Sequence, residues 1–358
     1  MLQKALFPGK YIQGVGAIGQ LPELIRLFGR QGLILASPTA FEKILPASGI
    51  DLKAERFNGE CCDAELNRLA VVICENKVDV LVGMGGGKAI DTAKIAADRA
   101  GIPVIIVPTT ASTDAPCSGC AVLYSEQGIF DSVYYQKSNP AAVLVDTAII
   151  ANAPVRFLVA GMGDALATWF EARSCHATQS ANCCGGLSTM TGLSLARLCY
   201  DTLLQYGLNA KIAAEQHIVT PALERIVEAN TLLSGIGFES GGLASAHSIH
   251  NGLTALEETH ALYHGEKVAF GLLAGLQLTD ALPEESDTVY AFCEQVGLPT
   301  TLADLGLKDC NRSRLLQVAE KACAPIESIH HEAGVISPDK VLNAILAADA
   351  IGQRRNCQ

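Results

Sequence analysis

The chain has 358 residues, of which 49% are hydrophobic and 18% charged. That balance suits a globular enzyme with a large core and excludes an intrinsically disordered protein. A net charge of −11 repels phosphate backbones and argues against nucleic acid as a partner, and no apolar run is long enough to make a membrane one.

The opening "MLQKALFPGKYIQG" lacks the apolar core and cleavage site of a secretory signal. Thirteen cysteines, odd in number and irregularly spaced, read as reduced thiols acting as small hydrophobes, so the expected location is cytoplasmic. Cys117-Ser118-Gly119-Cys120 is a lone CxxC with no second pair at metal-site spacing, and reads as structural.

Short apolar runs alternate with helical patterns through the first 150 or so residues. "GLILAS" (32–37) reads as a strand, and "DAELNRLAVVICENK" (63–77) as a helix with Asp63 as N-cap. "VDVLVGM" (78–84) reads as a buried strand, "GGKAIDTAKIAADRAG" (86–101) as a helix closed by Gly101, and "IPVIIVPT" (102–109) and "AAVLVD" (141–146) as further buried strands. Continuous apolar strands separated by helices imply a parallel sheet covered on both faces. From about residue 155 the apolar spacing turns helical and strand signals nearly vanish. The expected architecture is an α/β domain over 1–154 and an all-α domain over 155–358, with the active site in the cleft between them.

"LVGMGGGKAIDTAK" places Gly83, Gly85, Gly86 and Gly87 between a strand and a helix, with Lys88 beside them. Backbone without Cβ can approach a pyrophosphate, and the helix start offers unpaired N–H groups and the positive dipole end. The stretch is neither a Walker A sequence nor a GxGxxG. The competing reading is a tight turn that needs glycine. "PTTASTDAPCSGCAVLY" (108–124) reads as a polar loop after a parallel strand, where α/β proteins hold ligands.

"AGMGDALATWFEAR" puts Asp164 after a glycine pair, at or near a helix start, where it is either an N-cap or a metal ligand. His247, His250, His260 and His264, half of the chain's eight histidines, fall within eighteen positions. His247 and His250 could share one helix face, and so could His260 and His264. Such a concentration points to a metal or proton-transfer site, but spacing alone does not choose the ligating pair.

Blocks along nearly the whole chain carry a family resemblance: "PGKYIQG", "GMGGGKAIDTAK", "PTTASTDAPCS", "GMGDALATWFEA", "GIGFESGGLASAHSIHNGLTAL", "HGEKVAFG" and "GLPTTLADLG". The chain resembles the glycerol dehydrogenases, the polyol branch of the iron-containing alcohol dehydrogenase superfamily. The resemblance implies zinc or another divalent metal on Asp164, His247 and His264, with an open coordination position. It implies oxidation of glycerol to dihydroxyacetone, and of other vicinal diols, by hydride transfer from a metal-bound alkoxide to NAD. His250 would line the site or support it from behind, and His260 would be a bystander. Distant members carry a further histidine where Thr168 stands here. Asp114 would bind the polyol hydroxyls. The implied cofactor set comprises Ser37, Gly86, Gly87, Lys88, Asp91, Thr109, Ser112, Ser118, Cys120 and Tyr124. Ser37 stands where the family often has an acid holding the ribose, which weakens discrimination against NADP. A homo-oligomer, often an octamer in this branch, is also implied.

Two rival readings differ in chemistry. A same-fold glycerol-phosphate dehydrogenase or dehydroquinate synthase-like lyase would need several cations near the metal, and only Lys267 and Arg173 flank the ligand segments. A non-catalytic nucleotide-binding relic would not need Asp164, His247 and His264 together.

Overall fold

The computed structural model describes residues 2–357. Strands β1 (Tyr11–Gly14), β2 (Gly32–Ala36), β3 (Ala54–Arg56), β4 (Val80–Gly85), β5 (Val104–Pro108) and β8 (Ala142–Asp146) form one six-stranded sheet in the order β1-β8-β5-β4-β2-β3. All its pairings are parallel. Strands β6 (Cys120–Tyr124) and β7 (Phe130–Tyr135) form a separate antiparallel hairpin. Among the described residues, every element after Asp146 is a helix. The expected fold class therefore holds: a parallel α/β region followed by a helix-rich one.

The central strands explain why they read as continuous apolar runs. Val80, Leu81, Val82 and Met84 on β4 are fully buried, as are Ile105, Ile106 and Val107 on β5. Burial of each such side chain contributes about 1.5–3 kcal/mol. The helix Gly87–Ala100 packs tightly on β4, because a Cβ at Gly83 would lie 2.6 Å from the Ala93 Cβ. Gly101 ends that helix in the left-handed conformation with φ 69°.

By contacts the chain divides into two units. The α/β unit comprises Leu6–Val155 and Ile212–Gly235. The helical unit comprises the chain up to Ala5, Arg156–Lys211, and the chain from Ile236 onward. Ile212–Gly235 joins the α/β unit through specific bonds. Tyr11 Oη lies 2.8 Å from Thr231 Oγ1, Gln13 Nε2 donates to the Glu224 carbonyl at 2.9 Å, and Asn230 Nδ2 donates to the Ala111 carbonyl at 2.9 Å.

Three local expectations are corrected. Asp63 is the first residue of the helix Asp63–Glu75 rather than its N-cap; Cys62 caps it in extended geometry, and the Asp63 carboxylate bonds to Arg99 at 3.0 Å. The polar stretch 108–124 is not loop throughout, because its last five residues form β6. Alternating burial along β6 marks a half-covered strand, and its Cys-Ala-Val-Leu-Tyr run was too short to stand out against the preceding serines and threonines. Asp164 does not start a helix. It lies well inside the helix Val155–Thr178 and is fully buried.

Candidate active site

The reason Asp164 is interior lies in the glycines beside it. A Cβ at Gly163 would collide with the Gly265 carbonyl, and one at Gly265 would collide with the Ala160 carbonyl. Gly163 of "AGMGD" and Gly265 form a close-packing contact rather than marking a helix boundary. They let the start of helix His264–Leu278 press against the backbone of Val155–Thr178, which carries His264 to Asp164. The new helix start is pinned by Glu266. Glu266 accepts from the Tyr263 backbone N–H at 2.7 Å and from Arg156 Nε and Nη2 at 2.6 and 2.8 Å.

His247 comes from the helix Ser245–Leu253, which packs along the same helix through small residues. A Cβ at Gly275 would lie 2.6 Å from Ser245 Oγ, and one at Gly271 would meet the Ala246 carbonyl. The result is a cluster of one carboxylate and two imidazoles. Ligand atoms of Asp164, His247 and His264 all lie within 4.8 Å of one another. His264 Nε2 stands 3.1 Å from Asp164 Oδ1, and His247 Nε2 stands 3.4 Å from it.

His260 and His264 do not share a helix face. His260 sits in the short turn Glu257–Ala261, is exposed, and its Nε2 contacts the Thr254 carbonyl at 3.0 Å. His250 is buried beside His264, with ring centroids 4.2 Å apart. Both its nitrogens are engaged: Nε2 with His264 Nδ1 at 3.0 Å, and Nδ1 with Asn251 Oδ1 at 3.0 Å. Thr168 is fully buried one turn beyond Asp164.

Glu171 escaped the sequence reading. It is buried two turns after Asp164 on the same helix. Its Oε2 lies 2.6 Å from His247 Nδ1, while its Oε1 accepts the backbone N–H groups of Ala244 and His247 at 2.9 and 3.0 Å. The seven-residue interval from Asp164 to Glu171 was a legible signal, because such spacing returns to one helix face. Behind it, Glu332 accepts from the Ser245 hydroxyl at 2.5 Å.

The charges are mutually adjusted. Burial alone would raise the Asp164 carboxyl, but His264 and His247 outweigh it and hold the group well below the usual carboxylate range. Burial alone would depress His247, yet Glu171 and Asp164 hold it well above an ordinary imidazole. His250 is pushed well below by burial and then by His264, Lys267 and His247.

In the α/β unit, register brings the ends of β2, β4 and β5 side by side, pairing Ala36 with Met84 and Gly85 with Pro108. Ser37, Gly86, Gly87 and Thr109 therefore emerge together at one edge. Ser37 N–H donates to the Met84 carbonyl at 2.8 Å, and Thr109 N–H to the Gly85 carbonyl at 3.0 Å. A Cβ on Gly85 would lie 2.8 Å from the Ser37 Cβ, whereas one on Gly87 would meet nothing within 4 Å. The tight turn thus explains Gly85 and not Gly87, which leaves open backbone at the first position of a fourteen-residue helix.

The remaining residues of that set divide by role. Lys88 Nζ lies 2.5 Å from Glu60 Oε2 and 5.0 Å from the Tyr124 ring centroid. Ser112 Oγ lies 3.3 Å from Thr110 Oγ1. Asp91 accepts the Val122 N–H at 3.0 Å and so ties the helix to β6. Fully buried Lys94 donates to the Ala115 carbonyl, to Ser118 Oγ at 3.2 Å and to the Cys120 carbonyl at 3.0 Å, fixing the loop that carries Ser118 and the start of β6 at Cys120. Asp114 accepts from Ser234 Oγ at 3.0 Å.

Comparison with known proteins is consistent across sequence and structure. The model of the iron-containing alcohol dehydrogenase family matches residues 8–147. The chain is 52% identical to a glycerol dehydrogenase from Thermotoga maritima over 99% of both chains. The chain belongs to the iron-containing alcohol dehydrogenase family. Within it, the chain groups with the glycerol dehydrogenases, being also 50% identical to the one from Citrobacter freundii over 99% of each chain. The crystal structure of a probable glycerol dehydrogenase from Sinorhizobium meliloti superposes with a TM-score of 0.93 at 46% identity, covering 98% of this chain and 99% of that one.

Proposed function

We propose that the chain is an NAD- and divalent metal-dependent dehydrogenase that oxidises glycerol to dihydroxyacetone, and other vicinal diols likewise. The observation that carries this reading is the geometry of Asp164, His247 and His264. Their donor separations of 3.1 and 3.4 Å match the edge of about 3.3 Å expected for a tetrahedral ion with ligands at about 2.0 Å. One carboxylate oxygen and two imidazole nitrogens suit zinc and several other divalent ions, and zinc is the ion proposed. Bound there, the cation supplies positive charge that lowers the pKa of an alcohol.

The chain's own residues do the rest. Asp164, fully buried and held ionised by its two imidazole neighbours, keeps one negative charge in the cluster. Glu171 orients His247, and the Glu266–Arg156 pair holds the helix start that presents His264. Gly86, Gly87 and Lys88 are the proposed seat of the NAD pyrophosphate, with Ser37, Asp91, Thr109, Ser112, Ser118, Cys120 and Tyr124 around it. Asp114, positioned by Ser234, is the carboxylate proposed to accept a hydrogen bond from the second hydroxyl of a diol. Such a bond favours diols over simple alcohols. Thirteen cysteines, none of them in a disulfide, support a cytoplasmic location, and the family likeness supports a homo-oligomer.

An anionic substrate is disfavoured by how the nearby cations are used. Arg173 is committed to Glu285 by bonds of 2.7 and 2.9 Å, and Lys267 is buried against the Thr259 and Leu262 carbonyls, each at 3.3 Å.

The test is absorbance-monitored NAD⁺ reduction with glycerol at alkaline pH, before and after EDTA and with zinc restored. Glycerol-dependent NADH formation, removed by the chelator and recovered with zinc, is the expected result. Turnover with glycerol phosphate but not glycerol would overturn the substrate assignment. Turnover with NADP⁺ alone would overturn the cofactor, with Ser37 the residue responsible.

A further inference from the structure

His264 presents Nε2 toward Asp164 and Nδ1 toward His250. What decides which nitrogen carries a hydrogen is a chain of contacts leading away from the cluster. His250 Nδ1 meets Asn251 Oδ1 at 3.0 Å, and Asn251 Nδ2 meets Glu327 Oε2 at 2.9 Å. Glu327 is partly exposed at the end of this chain.

Each step has a polarity. An ionised carboxylate only accepts, so the Asn251 amide must turn its NH₂ toward Glu327 and its oxygen toward His250. The His250 nitrogen facing that oxygen must then carry the hydrogen. A neutral imidazole has one donor and one acceptor, so His250 Nε2 becomes the acceptor. His264 Nδ1 must donate to it, which leaves the His264 Nε2 lone pair for the cluster.

We propose that Glu327, acting through Asn251 and His250, is a positioning residue that sets the tautomer of His264. His250 is accordingly a link in this arm. The inference rests on the metal-site reading above. It also distinguishes the two imidazoles: His247 is set by direct, buried contact with Glu171, and His264 by a three-residue arm reaching the surface. Partners of this kind affect metal affinity by about 10–100-fold.

The test inverts the polarity while keeping the number of bonds. Glu327→Gln preserves an acceptor for Asn251. Glu327→Lys supplies a donor instead, so the amide turns over, His250 carries its hydrogen on Nε2, and the His264 Nε2 lone pair is lost to the cluster. Asn251→Leu cuts the arm. Zinc affinity is measured by chelator competition, and the His250 tautomer by solid-state ¹⁵N spectra of histidine-labelled protein with and without zinc. The expected result is near wild-type affinity for Glu327→Gln, a loss of about tenfold or more for Glu327→Lys and Asn251→Leu, and a shift of the His250 hydrogen from Nδ1 to Nε2 in Glu327→Lys. Glu327→Gln also controls for the loss of negative charge, because it keeps the acceptor. An unchanged His250 tautomer in Glu327→Lys, or wild-type zinc affinity in both it and Asn251→Leu, would overturn the proposal. A wild-type protein that binds no zinc would overturn the metal-site reading instead, and the ¹⁵N spectra would still decide the polarity of the arm.

Discussion

His247 and Glu171 stand 2.6 Å apart, with the Glu171 carboxylate fully committed to His247 and its helix start. One Glu171 oxygen takes the imidazole Nδ1 and the other takes two backbone N–H groups. This pair fixes the ring of a buried histidine with Nε2 aimed at Asp164, the orientation the proposed metal site needs. Replacing Glu171 with Gln keeps the shape but directs an NH₂ group at His247 Nδ1–H once the Oε1 bonds are kept. Zinc affinity by chelator competition is expected to fall by about 10–100-fold. Unchanged affinity would show that packing alone orients the ring.

Gly265 lies where a side chain would strike the Ala160 carbonyl. Gly265→Ala must push the His264–Leu278 helix start off its neighbour. A stability loss of about 1–3 kcal/mol is expected in denaturant unfolding, together with weaker zinc binding. A variant as stable and as tightly metallated as the wild type would show that the helix contact does not place His264.

Asp114→Ala removes the carboxylate proposed to read the second hydroxyl. A hydrogen bond to a charged group is worth about 1.5–3 kcal/mol, so kcat/KM for glycerol is expected to drop by about 10–100-fold while a simple secondary alcohol is affected little. Equal losses on both substrates would remove the diol-reading role.

Glu258 is gripped by Arg314 through bonds of 2.7 and 2.8 Å. That contact lowers its carboxyl from the ordinary 4.5 to about 2. The folded form therefore holds its proton more weakly than the unfolded chain. The pair's stabilisation is fully present above pH 4.5 and is lost as pH falls through about 2. Because the pair is exposed, the effect is small and screened by salt. Comparing acid unfolding of the wild type with Glu258→Gln should show a shallower decline between those pH values in the variant. Parallel curves would mean the pair contributes nothing.

The amino-acid sequence by itself determined the element types and the chemistry on offer. Runs such as Val80–Met84 are apolar at every position because both sheet faces are covered, and that pattern needs no knowledge of the partner strands. Gly86 and Gly87 followed by Lys88 are contiguous, so their turn could be read locally. The hairpin and the short edge strands β1 and β3 left weaker marks, being brief and only partly buried.

Tertiary structure decided which residues meet. Asp164 and His264 are one hundred positions apart, and nothing local says that Gly163 and Gly265 let two backbones touch. Gly163 has one local meaning, a helix boundary, and a different one once another helix lies against it. The support of the two imidazoles is likewise non-local. Asn251 and Glu327 acquire a role only because folding places one within hydrogen-bond reach of the other. Periodicity is a property of one segment, whereas the direction of a lone pair is set by groups brought together from distant segments.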